Sequence, residues 1–117
     1  MIKKLVLSII TLLLVCNTAC TQLNNKDKAQ TDYQTKITEL TKVIESDPNN
    51  TKAYHDRGFA QYQMGNNQEA IADFTRAIEI KPDYSEAYYN RGRVHYSLGN
   101  SQQSIEDINK SYELDDK

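Results

Sequence analysis

The sequence predicts an all-α fold, antiparallel helical hairpins stacked side by side, with about five helices in all. Three observations carry this reading. The four glycines and two prolines of the 117-residue chain all fall in one 34-residue register, with Pro48 recurring as Pro82, Gly58 as Gly92 and Gly65 as Gly99. Between these marks apolar residues recur every three or four positions, the period of a helix face. Sliding the block that begins at Thr51 by one period also aligns Ala53 with Ala87, Tyr54 with Tyr88, Arg57 with Arg91, Tyr62 with Tyr96, Ile71 with Ile105, and Asp73 with Asp107. A repeat of this length marks paired helices that bury their apolar faces only against neighbouring pairs.

The elements follow in order. Lys3 and Lys4 precede an apolar run from Leu5 to Val15, then Asn17, Thr18, Ala19 and Cys20. This is the layout of an export signal over residues 1–19. The run is too short for a permanent span, which takes about 20 residues. Residues 20–30 follow as a polar tether with almost no apolar content. Thr31 and Gln34 have capping-box spacing, and Ile37, Leu40, Val43 and Ile44 make one stripe of a helix that Asp47-Pro48 stops. A second helix is expected over 52–64, closed by Gly65-Asn66. Asn66 and Glu69 again have box spacing, and Ala70, Ile71, Phe74, Ala77, Ile78 and Ile80 line a third helix ending at Lys81-Pro82. Helices four and five repeat the cycle over 85–98 and 101–115.

Gly58 and Gly92 fall inside helices, where glycine costs about 1 kcal/mol against alanine. Close approach of paired helices offsets that cost where a side chain has no room. Gly65 and Gly99 end helices and suit the left-handed conformation needed there. Tyr54 and Tyr88 are assigned to the core. Arg57 and Arg91 each precede an aspartate by sixteen residues, which predicts ion pairs between packed helices, within a repeat (Arg57 with Asp73, Arg91 with Asp107) or across repeats (Arg91 with Asp73).

At these residues the chain resembles the tetratricopeptide repeat family. That family has an aromatic residue opening the first helix, glycine four on, a small residue and an aromatic in the second helix, then proline. Here these are Tyr54, Gly58, Ala70, Phe74, Ala77 and Pro82. The second copy has Tyr88, Gly92, Ser104, Ile108 and Ser111, with Asp116 in the place of proline. The resemblance covers Tyr33 to the C-terminus as a half repeat (31–50) and two repeats (51–84 and 85–117). It implies a short right-handed α-solenoid that serves as a protein-interaction module. Arg57, Arg91, Asp73 and Asp107 depart from the family pattern in register, which assigns them to the framework.

The resemblance also implies that the first helix of each pair lines a concave groove for a partner peptide or helix. Carried over by position, that groove comprises Lys52, His55, Asp56, Phe59, Tyr62 and Gln63 from one repeat, and Glu86, Tyr89, Asn90, Arg93, Tyr96 and Ser97 from the next. Tyrosine and arginine suit recognition, because they combine contact area with polar tips. The lysine and asparagine set by which some members clamp a peptide C-terminus is not reproduced, since His55 stands where its first lysine would be.

A lone cysteine at a signal-cleavage junction resembles the lipobox of bacterial lipoproteins, with Asn17 where that family has leucine. The resemblance implies acylation of Cys20, with diacylglycerol and fatty acid such as palmitate, and a place in the bacterial cell envelope. Several acyl chains hold a small domain to a membrane, each buried methylene adding about 0.8 kcal/mol. Without residues 1–19 only Cys20 remains, so the mature monomer has no internal disulfide. Twelve basic and sixteen acidic residues then give a formal charge of −4, which argues against a nucleic-acid partner, since that needs a basic face.

His55 and His95 have no second histidine or cysteine a helical turn away, so no metal is expected. His95, Ser97 and Asp107 name a triad on paper only, with Ser97 two residues from His95, and no enzyme or cofactor is expected. The last helix carries Ile105, Ile108 and Tyr112 with nothing after it to cover them. The alternative function is therefore a structural subunit of an envelope assembly that contacts neighbours, or a second copy, through the C-terminal helix or the convex face.

Overall fold

The computed structural model describes residues 2–117, the Leu23 side chain excepted. Five helices follow one another: α1 (Ile2–Ser46), α2 (Thr51–Gln63), α3 (Asn67–Ile80), α4 (Ser85–Ser97) and α5 (Ser101–Asp115). The chain divides into two compact units, one ending at Asp32 and the other Tyr33–Lys117, with the boundary inside α1.

In the first unit the described side chains of the helix are exposed, and Cys16 and Cys20 are free exposed thiols. The expected tether over 20–30 is helical here, and Thr31 is not a cap. Its hydroxyl donates to the Asp27 carbonyl at 2.9 Å, one turn back inside the helix. The reason is local. No glycine or proline occurs before Pro48, and glutamine, lysine and alanine are good helix formers, so nothing interrupts the ladder. An 18-residue stretch of α1 near the N-terminus is apolar enough, by length and composition, to cross a membrane, a test that signal sequences also pass.

In the second unit α2 pairs with α3, α4 with α5, and α3 packs against α4. This is the predicted stack of antiparallel hairpins. Asp47 ends α1, with the Asn49 N–H donating to its Oδ1 at 3.2 Å, and Asn50 caps α2 by accepting from the Ala53 N–H at 3.0 Å. Gly65 (φ 80°) and Gly99 (φ 78°) take the left-handed conformation. The Gly65 N–H donates to the Tyr62 carbonyl and the Asn66 N–H to the Gln61 carbonyl, a Schellman closure repeated at Gly99 and Asn100. Asn66 and Asn100 precede α3 and α5 without making the expected side-chain cap bond. The Asn66 amide instead donates to Gln61 Oε1 at 2.7 Å.

Ala70, Phe74 and Val94 form the buried centre, with Phe59, Tyr62 and Ile71 packed against it. The helices of each pair approach closely at Gly58 and Gly92. A Cβ on Gly58 would sit 3.1 Å from both Asp73 Cβ and Phe74 Cε1, and one on Gly92 would sit 2.9 Å from Ile108 Cγ1. Tyr54 and Tyr88 are half-buried rather than core. Their rings pack against the guanidinium groups of Arg57 and Arg91, at 5.8 and 5.6 Å, so they belong to the charged framework beside the apolar centre and not to that centre.

Candidate functional groove

The first helices of successive repeats, α2 and α4, present the candidate groove. A depression of about 500 Å³ lies across them. It gathers Lys52, His55, Asp56, Phe59, Glu86 and Asn90 of the predicted set. Tyr62 lies apart and pairs with Arg93, whose guanidinium sits 5.6 Å from its ring centre. Tyr89 faces a neighbouring cavity. Gln63, Tyr96 and Ser97 line neither cavity. Tyr96 is 75% exposed, and the Ser97 hydroxyl is spent on the Val94 carbonyl at 2.8 Å.

His55 organises the floor of the depression. Its Nδ1 lies 3.2 Å from Asp56 Oδ1, and its Nε2 lies 3.0 Å from Asn90 Nδ2, across the two repeats. A carboxylate only accepts, so the Nδ1–H donates to Asp56 and Nε2 accepts from the Asn90 amide. The ring is wedged between Phe74 at 5.7 Å and Tyr84 at 5.1 Å, centre to centre. Burial pushes the Asp56 carboxyl up, but hydrogen bonds from Lys52 and His55 outweigh it and hold the group below its usual range. Burial, with Glu86 and Asp56 nearby, raises the Tyr84 phenol.

Two lining residues were not among those predicted. Lys36 reaches the depression from α1, and Tyr84 reaches it from the turn before α4. Tyr84 was detectable, because it breaks the register. Its counterpart Asn50 spends its side chain capping α2, whereas Tyr84 precedes α4 with no side-chain cap bond and packs on His55. Lys36 carried no comparable signal.

Beneath the groove the regular arginines are framework. Arg57 Nε and Nη2 donate to the two oxygens of Asp73 at 2.8 and 2.7 Å, and Nη1 donates to Thr41 Oγ1 at 3.1 Å. Arg91 repeats this with Asp107 at 2.8 and 2.7 Å and Thr75 at 3.0 Å. The pairing is thus within each repeat, and each arginine also bonds the last helix of the repeat before it. The bond to its aspartate raises each guanidinium further above its usual value.

Three tetratricopeptide repeat family models match the chain, over residues 39–72, 62–99 and 85–117. No curated protein matches it. Among solved structures it is similar to the crystal structure of MamA, at 25% identity and a TM-score of 0.71, with 73% of this chain and 50% of that chain covered. It is similar also to MamA MSR-1, at 25% identity and a TM-score of 0.70, with 76% and 51% covered. A third likeness is to the second TPR of Spaghetti (RPAP3) bound to the HSP90 peptide SRMEEVD. There the identity is 26% and the TM-score 0.69, and 79% of this chain and 90% of that one are covered. The chain spans about half the length of the MamA structures it matches. With repeat models matching from residue 39 to 117 and this helical solenoid beneath them, the chain carries a tetratricopeptide repeat domain.

Proposed function

We propose that this chain is an envelope lipoprotein, tethered through Cys20, whose repeat domain is an interaction module that takes a partner peptide or helix across α2 and α4. The observation that carries the groove is the His55–Asn90 contact at 3.0 Å, which joins two successive first helices into one floor. Neither residue recurs one period away, where Tyr89 and Asp56 stand, so the pair is particular to this surface and not part of the framework. The peptide held by the RPAP3 repeat domain supports a polypeptide ligand. For the anchor, the support is the basic and apolar N-terminus leading to an exposed Cys20.

Crosslinking in the native cell followed by mass spectrometry identifies the partner. Substituting Tyr89, Asn90 and Arg93 together then abolishes its capture while helical content is unchanged, and retained capture removes the groove from consideration. Fatty-acid labelling with Cys20→Ser as control tests the anchor, and unchanged labelling in the variant refutes it.

A second reading, a structural subunit joined to its neighbours through α5, is favoured by Ile105 and Tyr112, which are 60% and 59% exposed. Tyr112 also lines a cavity with Tyr89 and Asn90, so its substitution does not separate the two readings. Ile105→Glu does, because Ile105 lines neither cavity.

A further inference from the structure

Between α4 and the end of α5 lies a second cavity of about 350 Å³. Glu86 and Tyr89 border it from α4, and Ser111, Tyr112 and Asp115 from α5. No lysine, arginine or histidine lines it. Among the described residues, neither Glu86 nor Asp115 belongs to an ion pair. Asp115 is the last residue of α5, where the helix carbonyls add further negative potential.

Ser111 supplies an independent observation. The residue is 4% exposed, yet its hydroxyl has no hydrogen-bond partner among the described residues. Buried hydroxyls are nearly always paired. Among the described residues no side-chain polar atom sealed from solvent lacks a partner, so the Ser111 oxygen is reached from the cavity it lines, where an incoming N–H can take the place of water on it.

The repeat provides an internal comparison. One period earlier the same positions hold Lys52 for Glu86, His55 for Tyr89, Ala77 for Ser111, Ile78 for Tyr112 and Lys81 for Asp115. Both charges invert, and both aliphatic positions gain a hydroxyl. In that earlier copy Tyr84 covers His55, and Lys81 lies 5.2 Å from the centre of the Tyr84 ring. The solenoid framework is built there without the acids, so stacking does not require them.

We propose that this cavity receives one cationic side chain, a lysine or arginine, presented by the partner polypeptide. Glu86 and Asp115 neutralise the charge, Tyr89 and Tyr112 offer aromatic faces that attract a cation, and the Ser111 oxygen accepts one of its N–H groups. This deepens the groove reading and rests on it, since Asn90 and Glu86 line both cavities.

The test is a titration of the full ¹⁵N-labelled chain in detergent micelles with Nα-acetyl-lysine and Nα-acetyl-arginine methylamides, with the norleucine and glutamate analogues as controls. The cationic probes shift the amides of Tyr89, Ser111 and Asp115 saturably. The E86Q/D115N variant, both side chains being exposed, keeps its helical content and binds them at least tenfold more weakly. The E86K/D115K variant transfers the preference to the glutamate probe. Norleucine binding as tightly as lysine, affinity unchanged in E86Q/D115N, or no saturable shift at these residues would each overturn the proposal. Loss of probe binding with partner capture retained removes this cavity alone. Loss of capture with the probes still seated removes the groove reading alone.

Discussion

Arg91 meets Asp107 through two parallel hydrogen bonds, Nε to Oδ2 at 2.8 Å and Nη2 to Oδ1 at 2.7 Å, while its third nitrogen reaches Thr75 at 3.0 Å. One guanidinium therefore ties three helices together: α4 that carries it, α5 that carries the aspartate, and α3 of the preceding repeat. The same triad occurs one period earlier as Arg57, Asp73 and Thr41. Both arginines are largely buried, at about one-fifth side-chain exposure, and the aspartates at 9%. Such a planar, charge-assisted contact fixes orientation as well as adding energy, so it sets the angle at which each hairpin stacks.

A double-mutant cycle on Arg91→Met and Asp107→Ala, read by urea unfolding, is expected to show a coupling of about 1.5–3 kcal/mol, the range for hydrogen bonds to charged groups. The Arg91/Asp73 cycle is expected to give no coupling, because that pair does not meet. Thr75→Val, which removes an acceptor of the charged guanidinium, is expected to cost about 1.5 kcal/mol, the low end of the same range.

Gly92→Ala is expected to destabilise the domain by about 1–3 kcal/mol, the range for overpacking, although alanine is the better helix former. Its Cβ would meet Ile108 Cγ1 at 2.9 Å and the Ser104 carbonyl oxygen at 3.1 Å, and that oxygen is backbone. Gly99→Ala meets nothing within 4 Å but sits at a φ of 78°, so its cost is conformational. In double-mutant cycles with Ile108→Ala, which removes the Cγ1 atom, Gly92→Ala is expected to cost less and Gly99→Ala no less than in the wild type, and denaturation midpoints distinguish the two mechanisms.

Asn50→Ala is expected to cost about 1 kcal/mol through the lost cap, because the Asn50 side chain accepts from the Ala53 N–H at 3.0 Å. Asn66→Ala is expected to cost clearly less. Its side chain makes no cap bond and only an exposed contact with Gln61. Thermal unfolding of the two variants side by side checks the ordering.

The Asp56 carboxyl sits below its usual range when folded. A carboxylate so depressed adds stability above its unfolded value, and that contribution is lost as pH falls through the folded value. Stability is therefore expected to decline below about pH 4, the ordinary aspartate range. Asp56→Asn is expected to flatten that decline and to lower stability at neutral pH. Urea midpoints measured from pH 7 to pH 2.5 decide it, and an unchanged acid slope in the variant refutes the assignment.

The sequence by itself determined the stack: helix number, turn positions, the buried glycines and the spacing of the arginine–aspartate pairs. These are local or periodic properties, and a 34-residue period writes each of them twice. The threonines of the triads were legible in the same way, since Thr41 and Thr75 also lie one period apart. Only the tertiary structure decided which aspartate Arg91 takes, because Asp107 sixteen residues after it and Asp73 eighteen residues before it both lie on neighbouring helices until the packing of three helices is known. It also decided that 20–30 is helical, as the lack of breakers outweighs the lack of apolar residues. The cavity between Glu86 and Asp115 was likewise beyond sequence reading, because it joins residues 29 positions apart whose side chains converge only when α5 folds back along α4. Period specifies the scaffold, whereas the shape of the open surface depends on where non-repeating side chains come together in space.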